Sequence, residues 1–444
     1  MRWKRWLPFA LLAFVSVLGI LTPERPPHSP GGPINPGDVA WMLTATGLVL
    51  LMTPGLSFFY GGMVRHKNVI STMLQSFMAM GVISILWIVV GFSLAFGDSI
   101  GGIVGNPATF FMLSGVGTET HRELAPTIPL LLFALFQLKF AIITPALITG
   151  SFAERVRFSS YVLFMCLFTV FIYSPLAHMT WHPQGVFRQW GVLDYAGGTV
   201  VHLSAGFAAL AGAMVLGRRR IHRENVAHTP ANIPFVILGT GMLWFGWFGF
   251  NAGSALAASG QAVLAFATTN TASAAAALSW IAFDVVRGRQ PSAVGACVGA
   301  VVGLVAITPA AGYVSIGSSI LIGTIASAIS NHVVHLKSRS TLDDTLDVFP
   351  CHGVGGIVGM LATAVFAREV GLVAGSARTL VAHLAALGIA AAFTFFGSYL
   401  LYRITDAIIP LRVSDEQEEL GLDLSQHGEF VPPAAPHLEE LVTG

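Results

Sequence analysis

The chain has 444 residues, of which 54% are hydrophobic and 10% charged, with a formal net charge of +1 at pH 7. Soluble domains carry about 25% charged residues, and no soluble core could hide this many apolar runs approaching the ~20 residues that span a bilayer. The composition therefore points to a polytopic helical membrane protein, all-α in class, and no basic stretch offers a footprint for nucleic acid. Cys166, Cys297 and Cys351 lie in apolar segments without CxxC spacing and read as packed small hydrophobes.

The opening MRWKRWLPFALLAFVSVLGIL joins a basic start to an apolar core that is short for a span, then runs into PERPPHSPGGPINPGD. It reads as a cleaved signal peptide over 1–24 followed by a flexible proline-rich linker over 25–37. An uncleaved first helix is the alternative, since no clean A-x-A site appears. Region 38–408 holds eleven expected spans, near 38–62, 68–95, 126–150, 158–180, 196–217, 232–256, 263–286, 293–309, 313–335, 348–367 and 379–404. Fourteen Lys and Arg residues follow odd-numbered spans, against only Arg122, Arg188, Arg368 and Arg378 after even-numbered ones. This bias sets the mature N-terminus outside and the C-terminus in the cytoplasm. Two five-helix halves plus a closing eleventh helix would form an inverted repeat. Residues 409–444 make an acidic cytoplasmic tail, too short for an enzymatic domain.

Two acid–histidine pairs stand out. In DYAGGTVVHLSAG, Asp194 precedes His202 by eight residues, about 12 Å of helix. Asp194 is placed to cap the fifth span at its positive dipole end. His202 falls near mid-membrane, where an ionisable residue is a functional candidate. In LDDTLDVFPCHGVGG, Asp347 and His352 approach from the opposite face. If the halves are related by inversion, the two imidazoles meet near the middle. Small residues crowd both spans and allow close helix approach in lipid. Zinc takes three or four ligands, and no third histidine or thiolate is placed at that depth, with His178 and His182 at the outer end of the fourth span. No metal, cofactor or nucleophile is expected, and no enzyme.

Aromatic and small polar residues gather in LFQLKFAIITPALITG, PLAHMTW and LWFGWFGFNAGS, which carry Gln137, Asn251 and Ser254. An aromatic face beside a hydroxyl suits a small cation, each cation–π contact contributing ~0.5–2 kcal/mol.

Together DYAGGTVVHLSAG, GWFGFNAGS, PGLSFFYGGMVRHKNV, FQLKFAIITPALI and LDVFPCHGVGGIVG resemble the ammonium transporter family, in its Amt/Mep branch, from Asp38 to about Glu429. The resemblance implies an outer ammonium-recruitment site of Phe140, Trp181 and Ser254, shaped by Asp194 without direct substrate contact. It implies a gate of Phe140 and Phe250, and His202 and His352 as hydrogen-bonded pore histidines. Gln137, Trp247, Phe59 and Asp347 would line or support the pore. It further implies a homotrimer in the lipid of the plasma (inner) membrane, carrying ammonium or ammonia with methylammonium as a related substrate. The tail would pack on the cytoplasmic face, where a PII-class signal protein can block the exit. The rival reading is an ammonium sensor signalling through its tail with little flux. Two departures from the family pattern are Lys139, beside Phe140, and a long WHPQGVFRQWGVLD loop.

Overall fold

The computed structural model describes residues 6–432. Residues 1–5, the basic start of the expected signal peptide, and 433–444, the end of the expected tail, lie outside the described residues. Among the described residues, ten helices are long and apolar enough to cross a membrane: Pro36–Met63, His66–Phe96, Leu130–Phe152, Phe158–Gln189, Gly198–Leu216, Ile233–Gly253, Gly260–Val286, Ile316–Ser338, Phe349–Phe366 and Ala377–Ile408. At the place of the expected eighth span lies Ala293–Ile307, apolar but of 15 residues. That is about 22 Å of rise, short of the ~30 Å of a bilayer core. Counting it, the helices are first to eleventh in chain order. Strands among the described residues form two short antiparallel pairs, Ser99–Ile100 with Val104–Gly105 and Thr120–His121 with Ala125–Pro129.

Local chemistry starts these helices. Asn35 accepts the N–H groups of Gly37 and Asp38 at the head of the first helix, with Pro36 in its first position. Asn232, Ser259, Ser292 and Ser315 each accept a backbone N–H at the heads of the sixth to ninth. Each cap satisfies a donor that the helix itself leaves orphaned. Four helices contain a π turn: Trp87–Gly91, Thr169–Tyr173, Gly198–Leu203 and Phe349–Val354. The last two open the fifth and tenth helices and carry His202 and His352.

Those two helices touch through glycine. A Cβ on Gly206 would collide with the backbone of Gly353, and one on Gly356 would lie 2.9 Å from the Gly198 carbonyl oxygen. The expected small-residue contact is therefore a backbone-to-backbone crossing.

Both chain ends are tied down. Leu7–Leu21 forms a helix without a buried residue, but the segment after it is not the flexible linker expected from its composition. Gly31 donates its N–H to Thr120 (3.1 Å), Ser29 accepts from Arg122 (2.9 Å), and Asn35 donates to Thr127 (2.8 Å). Pro30 and His121 form a bridge. Proline-rich chain lacks donors and is already extended, so it docks as a strap on the loop between the second and third helices. At the other end, Val413 donates to Arg155 (3.0 Å) and Arg157 to Leu411 (2.7 Å). Asp423 accepts from Ile70 and Ser71 (3.1 and 2.7 Å), and buried Glu418 accepts from the Arg220 N–H and Arg412 (both 2.6 Å).

Beneath the tail lies a buried ion network. Glu154 accepts from the Arg65 backbone N–H and Nε (2.7 and 2.8 Å) and from Arg219 Nη1 (3.0 Å). Arg219 also reaches Asp343, with Nη2 2.9 Å from Oδ1. Burial pushes both carboxyls up, but Arg219 and Arg65 outweigh it at Glu154, and Arg155 and Arg219 outweigh it at Asp343, holding both below the ordinary range. Depressed folded-state values mean that the stabilisation is complete above the unfolded pKa near ~4 and is lost as pH falls through the folded values. Glu154→Ala leaves the buried Arg219 and the partly buried Arg65 guanidinium groups without their shared acceptor and is expected to cost about 3 kcal/mol. The checking measurement is the thermal unfolding midpoint of the detergent-solubilised protein; an unchanged midpoint would remove the network from the stability account.

Candidate functional site

The head of the fifth helix is built by Asp194. Its carboxylate accepts the N–H groups of Gly197 (2.8 Å), Gly198 (2.6 Å) and Thr199 (2.8 Å) and the Thr199 hydroxyl. Gly197 at φ 116° makes the turn that aims three successive N–H groups at one carboxylate. Asp194 thus spends its charge on the helix terminus, while its backbone carbonyl accepts from Trp181 Nε1 (3.0 Å) and orients the indole.

The tenth helix repeats the device with a different aspartate from the one expected. Asp344 accepts from Val348 (3.1 Å) and Phe349 (2.7 Å). Asp347, the residue expected to pair with His352, sits at φ 58° with its carboxylate 2.8 Å from Lys337 Nζ. A signal for Asp344 lay in the sequence: it precedes His352 by eight residues, the same spacing as Asp194 to His202.

His202 and His352 then meet between the two helices. Their Nδ1 atoms are 3.4 Å apart and share a hydrogen bond, with ring planes 22° apart. One Nδ1 must carry the proton and the other accept it. The remaining Nε2 atoms are therefore one N–H donor and one lone pair, and His202 Nε2 is buried without a partner. Trp247 stacks on His202 at 5.4 Å and donates its Nε1 hydrogen to Thr308 (2.9 Å). Thr308 was not among the expected residues, and nothing in its sequence context marks it. Around the rings lies an apolar cavity of about 10 Å³, lined also by Phe59, Leu56, Ile143 and Val301, a space on the scale of one water molecule.

A second cavity, of about 240 Å³, is lined by Phe140, Trp181, Ser254, Gln137 and Asp194, and by Glu123 and Leu124 from the strap-bound loop. Trp181 stands edge-on to Phe140 (5.9 Å, 83°), and Ser254 donates its hydroxyl to the Phe250 carbonyl (2.8 Å). The buried Gln137 Oε1 has no partner. Between this vestibule and the lumen, Phe140 and Phe250 pack with centroids 4.2 Å apart. Phe140 lines one cavity and Phe250 the other. Asn251 stays outside both, donating to Thr269 (2.8 Å). Lys139 is half-buried and lines neither cavity. Among the described residues, no group of three or more His, Cys, Asp or Glu is placed to hold a metal ion.

Residues 40–431 match the Ammonium Transporter Family. An ammonium transporter of Aquifex aeolicus is 44% identical over 406 residues, covering 89% of this chain and 93% of that one. The crystal structure of Saccharomyces cerevisiae Mep2 is similar with a TM-score of 0.83 and 34% identity, covering 91% and 93% of the two chains. A solved sensor Amt protein gives 0.81 and 29%, covering 88% and 98%. The chain is a polytopic membrane protein and belongs to the ammonium transporter family.

Proposed function

We propose that the protein recruits ammonium in the Trp181 vestibule, deprotonates it, and passes ammonia through the lumen while the proton travels separately by way of the paired histidines. The observation that carries this reading is the closely packed, tilted Phe140–Phe250 pair between an aromatic vestibule and an apolar lumen whose polar side chains are two imidazoles and the Trp247 indole. A bare cation entering such a medium costs tens of kcal/mol on Born arithmetic, and cation–π contacts return about 2 kcal/mol each at most. Desolvation lowers the pKa of ammonium itself, so ammonium can continue by shedding a proton, whereas potassium has none to shed. Selectivity then follows without a tight cage. The imidazole pair offers ammonia a donor and an acceptor where water is excluded, and it can relay a proton along its axis.

In this reading the vestibule faces outward and the Arg-rich loops and tail face the cytoplasm. The protein works as a homotrimer with one pore per subunit, and a PII-class protein binds over the tail face. A sensor with little flux is the rival, favoured by the likeness to a sensor Amt protein. Ammonium-dependent flux in reconstituted vesicles separates the two, and its absence would give the chain to the sensor reading.

His202→Ala is expected to abolish the ammonium-evoked current of proteoliposomes on solid-supported membranes, because the relay loses one imidazole. A current of wild-type size would refute the relay. Trp181→Ala removes a cation–π face worth ~0.5–2 kcal/mol, so apparent affinity should fall by about two- to thirtyfold. Uptake of methylammonium at low concentration checks it, and wild-type uptake would exclude Trp181 from recruitment.

A further inference from the structure

The strap packs against the loop that contributes Glu123 and Leu124 to the vestibule wall. His28 stacks on His121 with centroids 5.9 Å apart and planes 4° apart, sits edge-on to Phe110, and has Nε2 3.5 Å from Asp98. Arg25 donates to the Ala108 carbonyl (3.0 Å), and the Thr120 hydroxyl donates to that of Gly32 (2.5 Å). Gly31 fits where a Cβ would lie 2.9 Å from Thr120 Oγ1 and 3.1 Å from the His121 carbonyl carbon. Beneath this clamp His121 is buried, and its Nδ1 accepts the N–H groups of Glu123 (3.3 Å) and Leu124 (3.1 Å). Those are the two residues that the loop contributes to the vestibule wall.

We infer that His121 is a positioning residue for the vestibule: held by the strap, it fixes the Glu123–Leu124 rim, and only while its Nδ1 is unprotonated. An acceptor reaching the N–H groups two and three residues ahead is the geometry of an Asx turn, here made by a ring nitrogen. Adding a proton to Nδ1 turns it into a donor facing two donors. The groups around it oppose one another: His28 from the strap and His182 from the end of the fourth helix are potential cations, while Asp98 and Glu123 are anions. Burial and His28 outweigh the anions and hold His121 below the usual histidine value. With a depressed folded value, the clamp is complete above the unfolded pKa near ~6.5 and is lost as pH falls through the folded value.

The inference rests on the transport reading for its functional meaning, so the test has two arms. Ammonium-evoked currents of the full chain in proteoliposomes are compared at neutral and acid pH for wild type, His121→Asn, His121→Ala and Gly31→Val. Asparagine keeps an untitratable acceptor at the Nδ1 position, and Gly31→Val lifts the strap without touching the histidine. The apparent KM of the wild type should rise on acidification by about five- to tenfold, the loss of about one net hydrogen bond, with maximal current little changed. His121→Asn should hold the neutral-pH KM at both pH values, and His121→Ala and Gly31→Val should be raised at both. In the second arm, amide exchange at Glu123 and Leu124 should speed up by a similar factor in His121→Ala and Gly31→Val at neutral pH, and stay slow in His121→Asn. A His121→Asn variant with the wild-type acid response, or a His121→Ala variant with wild-type KM and protected amides, would overturn the inference. If the wild type carries no current, the transport reading falls, and the exchange arm alone decides whether His121 positions the rim.

Discussion

The site depends on how closely two helix backbones can approach. Gly206 faces Gly353 without room for a methyl group between them, and the imidazoles of His202 and His352 lie beside this crossing. In lipid, apolar burial gives helices no reason to associate, so small residues and interhelical hydrogen bonds must do it. Here both act at one place. The glycine contact sets the separation that lets the Nδ1 atoms meet at 3.4 Å, and that hydrogen bond satisfies polar atoms that would otherwise be stranded. A wider crossing would leave each ring needing its own partner in an apolar space, at a cost of about 1–3 kcal/mol for an unpaired buried group.

The two aspartates complete this economy. Asp194 and Asp344 are buried, yet their carboxylates do not reach the lumen. Each is consumed by the N–H groups at the head of a helix that opens in a π turn. Irregular backbone at membrane depth is tolerated only where protein satisfies it, and these carboxylates are what satisfies it. The charges therefore stabilise the two half-turns that aim the histidines, and the space between the rings and the aromatic gate keeps its low dielectric. The proposed deprotonation of ammonium requires that separation.

Much of this was legible in the sequence, for reasons that are physical. Spans are long apolar runs, so the helices lie within a few residues of where they are expected, except that the fourth runs on to Gln189 and the eighth, Ala293–Ile307, is too short to cross. The histidines, the aromatics and Asp194 stand out because each is rare at its depth. The errors fall where tertiary contacts decide. Asp347 stands closer along the chain to His352, but a left-handed φ turns it toward Lys337 and leaves the cap to Asp344. The segment 25–37 has the composition of a free linker, yet it pairs with a loop about ninety residues further on. Glu154, Arg219 and Asp343 come from three different loops, and of the three only Arg219 entered the Lys and Arg bias read from the sequence.

The helical core and the loops have different rigidities, and the chain ends act on the softer part. Gate and imidazoles sit on packed helices. The vestibule wall includes the loop residues Glu123 and Leu124, and loops have fewer buried apolar contacts and open at lower cost, whereas the cavity around the imidazoles is lined by helix residues. On one face the strap holds His121, which holds Glu123 and Leu124. On the other, the tail strand pairs with Arg155, whose guanidinium donates to the Asp343 carbonyl (2.6 Å) and the Thr345 hydroxyl (2.8 Å), the residues on either side of the cap Asp344. The described ends of the chain thus pack against loops and touch neither imidazole. In the proposed transport reading, a change at either end alters the shape of a loop while the chemistry between the rings stays as the helices set it, and affinity and throughput belong to separate parts of the molecule.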